Sequence, residues 1–97
     1  MNLFAVIRTR GGACRPSASL ENQPNWEAHA SFMNGLQQEG FVVLGGPLDD
    51  TPDVLLIVRA SHADEIVERL ATDPWTTQDL LRVSRISPWT LRLGALP

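Results

Sequence analysis

Apolar and polar positions change period several times along this chain, and the changes mark its elements. Leu3-Phe4-Ala5-Val6-Ile7-Arg8 is a short run of strand formers ended by Gly11 and Gly12. It predicts a first strand, apolar on both faces and so central in its sheet. From Thr9 to Gln23 the residues turn to Gly, Pro, Ser and Asn without periodicity, which predicts a long connecting loop. That loop carries Cys14 and Arg15 and is expected to be a mobile surface segment with an incidental thiol.

Between Pro24, suited to a first helical turn, and Gly40, suited to the stop after the last, the spacing becomes helical. Trp26, His29, Met33 and Leu36 recur three or four apart and share one face, which Phe32 and Ala30 widen. Glu27, Ser31, Asn34 and Gln38 make the wet side. An imidazole therefore sits in an apolar stripe, where its ring nitrogens need partners. Phe41-Val42-Val43-Leu44 follows as a second strand closed by Gly45-Gly46-Pro47, and Val54-Leu55-Leu56-Ile57-Val58 as a third. The turn residues Asp49 to Asp53 between them predict an antiparallel hairpin.

Ser61, with Asp64 three residues on, predicts the start of a second helix. Ala63, Ile66, Val67 and Leu70 should be its buried face, Glu65, Glu68 and Arg69 its exposed face, and His62 a solvated residue in its first turn. Thr72-Asp73-Pro74-Trp75 breaks that helix, because the residue before a proline is pushed from helical angles. A short helical turn from Thr76 to Leu81 and a last strand from Val83 to Leu93 complete the order. Pro88 cannot donate to a ladder, which favours an edge position for that strand.

Strand, helix, strand, strand, helix, strand is the α+β, ferredoxin-like βαββαβ order: an antiparallel sheet with both helices on one face. The other face would expose an apolar patch too large for a monomer, so a symmetric homodimer is expected.

Composition narrows the partners. With 97 residues, 43% hydrophobic and 20% charged, the chain reads as one domain over residues 1–97 with a modest core. The formal net charge of -3, with all basic residues arginine and scattered, argues against a nucleic-acid surface. No apolar run approaches the roughly 20 residues a membrane span needs, and no signal peptide is evident, so a cytoplasmic protein is expected. The lone Cys14 agrees with a reducing compartment. His29 and His62 have no ligand spacing around them, so no metal site is expected. No phosphate-binding loop or nucleophile elbow suggests a cofactor or a covalent mechanism.

Trp26-Glu27-Ala28-His29 with Phe32, then Gly40, Gly45-Gly46-Pro47, Asp73-Pro74-Trp75, and Ser87-Pro88-Trp89 with Gly94 together resemble the YCII-related proteins of the dimeric alpha-beta barrel superfamily. The resemblance implies that His29 and Asp73 face each other in a cleft as a catalytic pair, the carboxylate holding the imidazole in one tautomer. It implies a lyase or isomerase: proton transfer, or dehalogenating elimination, on a small acid derived from an aromatic compound. Trp26 and Trp75 are candidate apolar walls for this ligand, Arg8 or Arg10 a candidate attractor of its negative charge, and Asp49 a candidate contact. The Gly11 to Gln23 loop, and Trp75 in place of a smaller aromatic, depart from the better-known members, so substrate does not transfer. The alternative is a non-catalytic dimer that binds a ligand or a partner protein. In that case His29 is a core residue bonded to a backbone carbonyl, and Asp73 merely caps the helical turn after it.

Overall fold

The computed structural model describes residues 2–97. Its elements in chain order are β1 (Asn2–Arg10), α1 (Trp26–Gln38), β2 (Val42–Pro47), β3 (Asp53–Ala60), α2 (Ala63–Ala71), α3 (Pro74–Thr77) and β4 (Leu81–Trp89), with a 3-10 turn at Leu20–Asn22 before α1. The strands form one sheet in the order β2-β3-β1-β4, antiparallel throughout. This is the expected ferredoxin-like α+β arrangement, with β1 central and the Pro88-bearing strand at an edge.

Alternation along the central strands divides the sheet into two faces. Phe4 and Val6 of β1 and Leu56, Val58 and Ala60 of β3 are buried with Leu36 of α1 and with Ile66 and Leu70 of α2. Arg8 continues the inward series of β1 and is equally buried. A second cluster of Cys14, Trp75, Leu80 and Leu81 lies beside it, and Val54 packs against both. The opposite face pairs Ala5 with Ile57 and Ile7 with Leu55, and Leu44 and Trp89 at its rims are 45% and 39% exposed. The pairing of β1 with β4 shifts register between Ile7 and Arg8, leaving Ser84 as an extra residue opposite the point where the arginine turns inward.

Several local expectations change. The glycines and proline at 45–47 lie inside β2 rather than closing it; β2 is an edge strand, where a proline costs no ladder bond on its outer side. The cap of α2 is His62, not Ser61: its Nδ1 accepts the Glu65 N–H at 3.3 Å while Glu65 Oε1 accepts the Ser61 N–H at 2.8 Å. The capping box is thus displaced by one residue. Val67, expected to be buried, is 50% exposed, and Ile66 and Leu70 alone are deeply buried on that helix. The final short helix starts at Pro74 rather than Thr76, and β4 already begins at Leu81.

The loop after β1 is tied down instead of trailing on the surface. Gln23 accepts the Arg15 N–H at 2.8 Å and donates to the carbonyls of Arg15 and Ala18, which Arg10 Nη1 also meets. Gly11 and Ala13 donate to the carbonyls of Leu80 and Asp79 at 2.9 and 3.1 Å. Cys14 is buried against Trp75 as a result.

Candidate active site

Asp73 occupies the N-cap of α3, a position its sequence dictates. The following Pro74 holds it extended and supplies the first helical residue, while the short acid accepts the Trp75 N–H at 3.0 Å through Oδ1. The same carboxylate, 0% exposed, then meets two side chains from distant parts of the chain. His29 Nδ1, from the second turn of α1, lies 3.0 and 2.9 Å from Oδ1 and Oδ2. Arg8 Nη1, from β1, donates to Oδ2 at 2.9 Å. Asp73 is therefore both cap and partner, and His29 is bonded to a carboxylate and not to a backbone carbonyl.

Electrostatics follow from these contacts. Burial by itself pushes the Asp73 carboxyl up. The hydrogen bonds from His29 and the Trp75 N–H, the charge that the His29 ring can carry, and the Arg8 hydrogen bond outweigh it and hold the group below the ordinary carboxylate value. An ionised Asp73 accepts only, so Nδ1 of His29 is the protonated nitrogen of the neutral ring and Nε2 keeps its lone pair. Among the described residues Nε2 makes no hydrogen bond, and it is not among the sealed, unpartnered polar atoms.

The ring is held flat. Trp75, fully buried, stacks on it at 3.8 Å between centroids and 5° between planes, and its own Nε1 donates to the Pro24 carbonyl at 2.7 Å. Trp26 tilts against both rings at 6.0 and 5.7 Å. Asn25, in left-handed conformation at φ 60°, starts α1 and donates to Gln78 Oε1 at 2.6 Å, so the helix bearing His29 is fastened to the end of the helix that Asp73 caps.

Beside His29 a cleft of about 380 Å³ opens between α1 and β2. Leu20, Trp26, Met33, Val42, Val54 and Leu56 make its walls apolar, and Arg8, His29, Asn34 and Gln37 supply its polar side chains. Such a cavity, apolar with a few convergent polar groups, suits a small organic ligand.

The structure brings His29, Asp73, Trp26, Trp75 and Arg8 together and leaves Arg10 and Asp49 apart. Trp75 is not a wall of the cleft; it is buried behind the imidazole as its support. Arg8 is 1% exposed and bonded to Asp73 and, through Nη2 at 2.8 Å, to Thr76 Oγ1, so it is not an open surface charge. Arg10 is used by the loop carbonyls, and Asp49 lines a separate depression with Arg10 and Glu21. Nothing in the sequence context of Thr76 sets it apart, and it is identified only by the buried guanidinium it meets. No cluster of three or more His, Cys, Asp or Glu among the described residues is placed to hold a metal ion.

Comparison with known proteins bears on this geometry. The family model of the YCII-related domain matches residues 5–90. Among solved structures, the chain is similar to the 5-chloro-2-hydroxyhydroquinone dehydrochlorinase of Burkholderia phenoliruptrix in complex with 2,5-dihydroxybenzoquinone, with a TM-score of 0.63 and 23% sequence identity over 95% of each chain. At that identity the likeness concerns the fold. No curated protein sequence matches.

Proposed function

The chain belongs to the YCII-related family, and from that premise together with the meeting of His29 and Asp73 beside a cleft we propose that it is a small cofactor-independent enzyme, a lyase or isomerase. Its substrate is a small acid of aromatic origin. The observation that carries this reading is an imidazole whose Nδ1 is held by a buried carboxylate while Nε2 is left free at a largely apolar cavity.

In this role Nε2 of His29 takes a proton from the bound molecule. The substrate C–H or O–H bond breaks, an N–H bond forms, and the electron pair stays on the substrate. In an isomerisation the proton returns at a different carbon. In an elimination the pair becomes a double bond and halide leaves with its own bonding electrons. Asp73 fixes the tautomer and faces the positive ring that results, and Trp75 keeps the ring from turning. The dehydrochlorinase of similar fold, with a quinone in its structure, supports the aromatic origin of the substrate.

The proposal extends to assembly and setting. The apolar face built on Ala5, Ile7, Leu55 and Ile57, rimmed by Leu44 and Trp89, supports a sheet-to-sheet homodimer of a one-domain chain. A buried free thiol at Cys14 supports a cytoplasmic setting.

The test is a panel of small carboxylates and quinone-like compounds added to protein labelled with 15N in its histidine rings. A ligand of this site shifts the Nε2 resonance of His29 and leaves that of His62 in place. A panel in which every binder leaves His29 unmoved overturns the reading.

A further inference from the structure

Arg8 is the most unusual side chain in the core. A guanidinium out of water costs several kcal/mol unless its donors and charge are matched. Here Nη1 meets Asp73 at 2.9 Å and the Met33 sulfur at 3.9 Å, Nη2 meets Thr76 at 2.8 Å, and Nε has no partner among the described residues. Packing alone gives no reason to prefer this to a methionine or leucine of similar volume.

We propose that Arg8 is a positioning residue that acts through Asp73, fixing the carboxylate as the charged acceptor of the His29 Nδ1–H and setting the net charge of the site. This rests on the reading of His29 as acid or base given above. Arg8 and His29 Nδ1 share Oδ2 of Asp73, so the guanidinium determines where that oxygen sits when the ring approaches. Thr76 completes the clamp: its hydroxyl accepts from Nη2 and donates to the Leu70 carbonyl at 2.8 Å, which anchors the guanidinium to the end of α2.

The consequence is a matter of charge. While the ring is neutral, Arg8 supplies the positive charge in contact with Asp73, and the three side chains together carry no net charge. Once the ring has taken a proton they carry one positive charge, which balances the anion left on the ligand. Without Arg8 the protonated ring and Asp73 would cancel each other, and the anion in the apolar cleft would have no counter-charge.

The test needs no substrate. In the parent, Arg8→Met, Arg8→Lys and Thr76→Val proteins, the Asp73 carboxyl carbon is followed by 13C NMR through acid pH, and the position of the His29 ring proton by 15N NMR. Arg8→Met is expected to raise the midpoint of Asp73 by about one pH unit or more and, because Oδ2 is no longer held toward the ring, to admit a population of the Nε2–H form of His29. Arg8→Lys should return the midpoint toward that of the parent, and Thr76→Val should move both readouts the same way by a smaller amount. If Arg8→Met fails to fold, Thr76→Val decides alone. A variant set that keeps the parent's midpoint and tautomer, or a methionine effect that lysine does not relieve, overturns the proposal. Neither result touches the role proposed for His29, which is tested separately through ligand shifts at its ring and turnover of its alanine variant.

Discussion

His29 Nδ1 lies within 3.0 Å of both carboxylate oxygens of Asp73, a residue 44 positions further along the chain. That separation is bridged by the fold: α1 sets the ring over the sheet, and the break between α2 and α3 delivers the acid at its edge. The pair is packed on one side by Trp75 and open to the cleft at the other ring nitrogen.

Removing the charge of Asp73 strands the arginine beneath it. Asp73→Asn keeps the volume but leaves Arg8 buried without a counter-charge, and breaking one side of a buried pair costs about 3–5 kcal/mol. The exposed pair of Arg69 with Glu39 is a control: Glu39→Gln should change stability by about 1 kcal/mol or less. Urea unfolding of the two variants measures the contrast.

Acid should destabilise the parent more than the Asp73→Asn variant. The folded-state pKa of Asp73 lies below the unfolded value, which is about 3.9. Its contribution is therefore complete above that unfolded value and is lost as pH falls toward and through the folded one. Urea midpoints taken from about pH 6 down to about pH 2 should fall for both proteins, with the parent losing its advantage below about pH 4.

Two glycines should respond oppositely to alanine. A Cβ at Gly11 would stand 2.2 Å from the Asp79 carbonyl oxygen, which is backbone and cannot swing aside. Gly11→Ala should cost about 1–3 kcal/mol and loosen the loop that packs Cys14 against Trp75. At Gly46 nothing among the described residues lies within 4 Å of an added Cβ, so Gly46→Ala should be neutral or stabilise by up to about 1 kcal/mol. Thermal melts and the reactivity of Cys14 toward a thiol reagent report both effects.

The sheet order was legible because the alternation along β1 and β3 and the turn residues between β2 and β3 each act locally. The stripe of Trp26, His29, Met33 and Leu36 was legible for the same reason. What escaped was set by partners remote in sequence. Arg8 reads as a strand-end surface charge until Asp73 and Thr76, 65 and 68 positions away, are placed beside it. Cys14 reads as a loop thiol until Gln23 and the Asp79 carbonyl fold its segment inward. Val67 satisfies the helical period of α2, yet that short helix rests on the sheet through Ile66 and Leu70 and leaves its neighbour in water. The cap of α2 moved from Ser61 to His62 because either residue can accept a backbone N–H, and the pairing of Glu65 with the Ser61 N–H selected the second.

The most direct test of the central claim is turnover with His29 as the variable. Small acids and quinone-like compounds that bind the cleft are incubated in D2O with the parent and with His29→Ala, and exchange or elimination is followed by proton NMR while circular dichroism confirms that both are folded. The expected result is deuterium incorporation or halide release by the parent, lost by a factor of about 100 or more in the variant. Equal rates in the two folded proteins would contradict it, leaving the imidazole and its carboxylate as a packing pair.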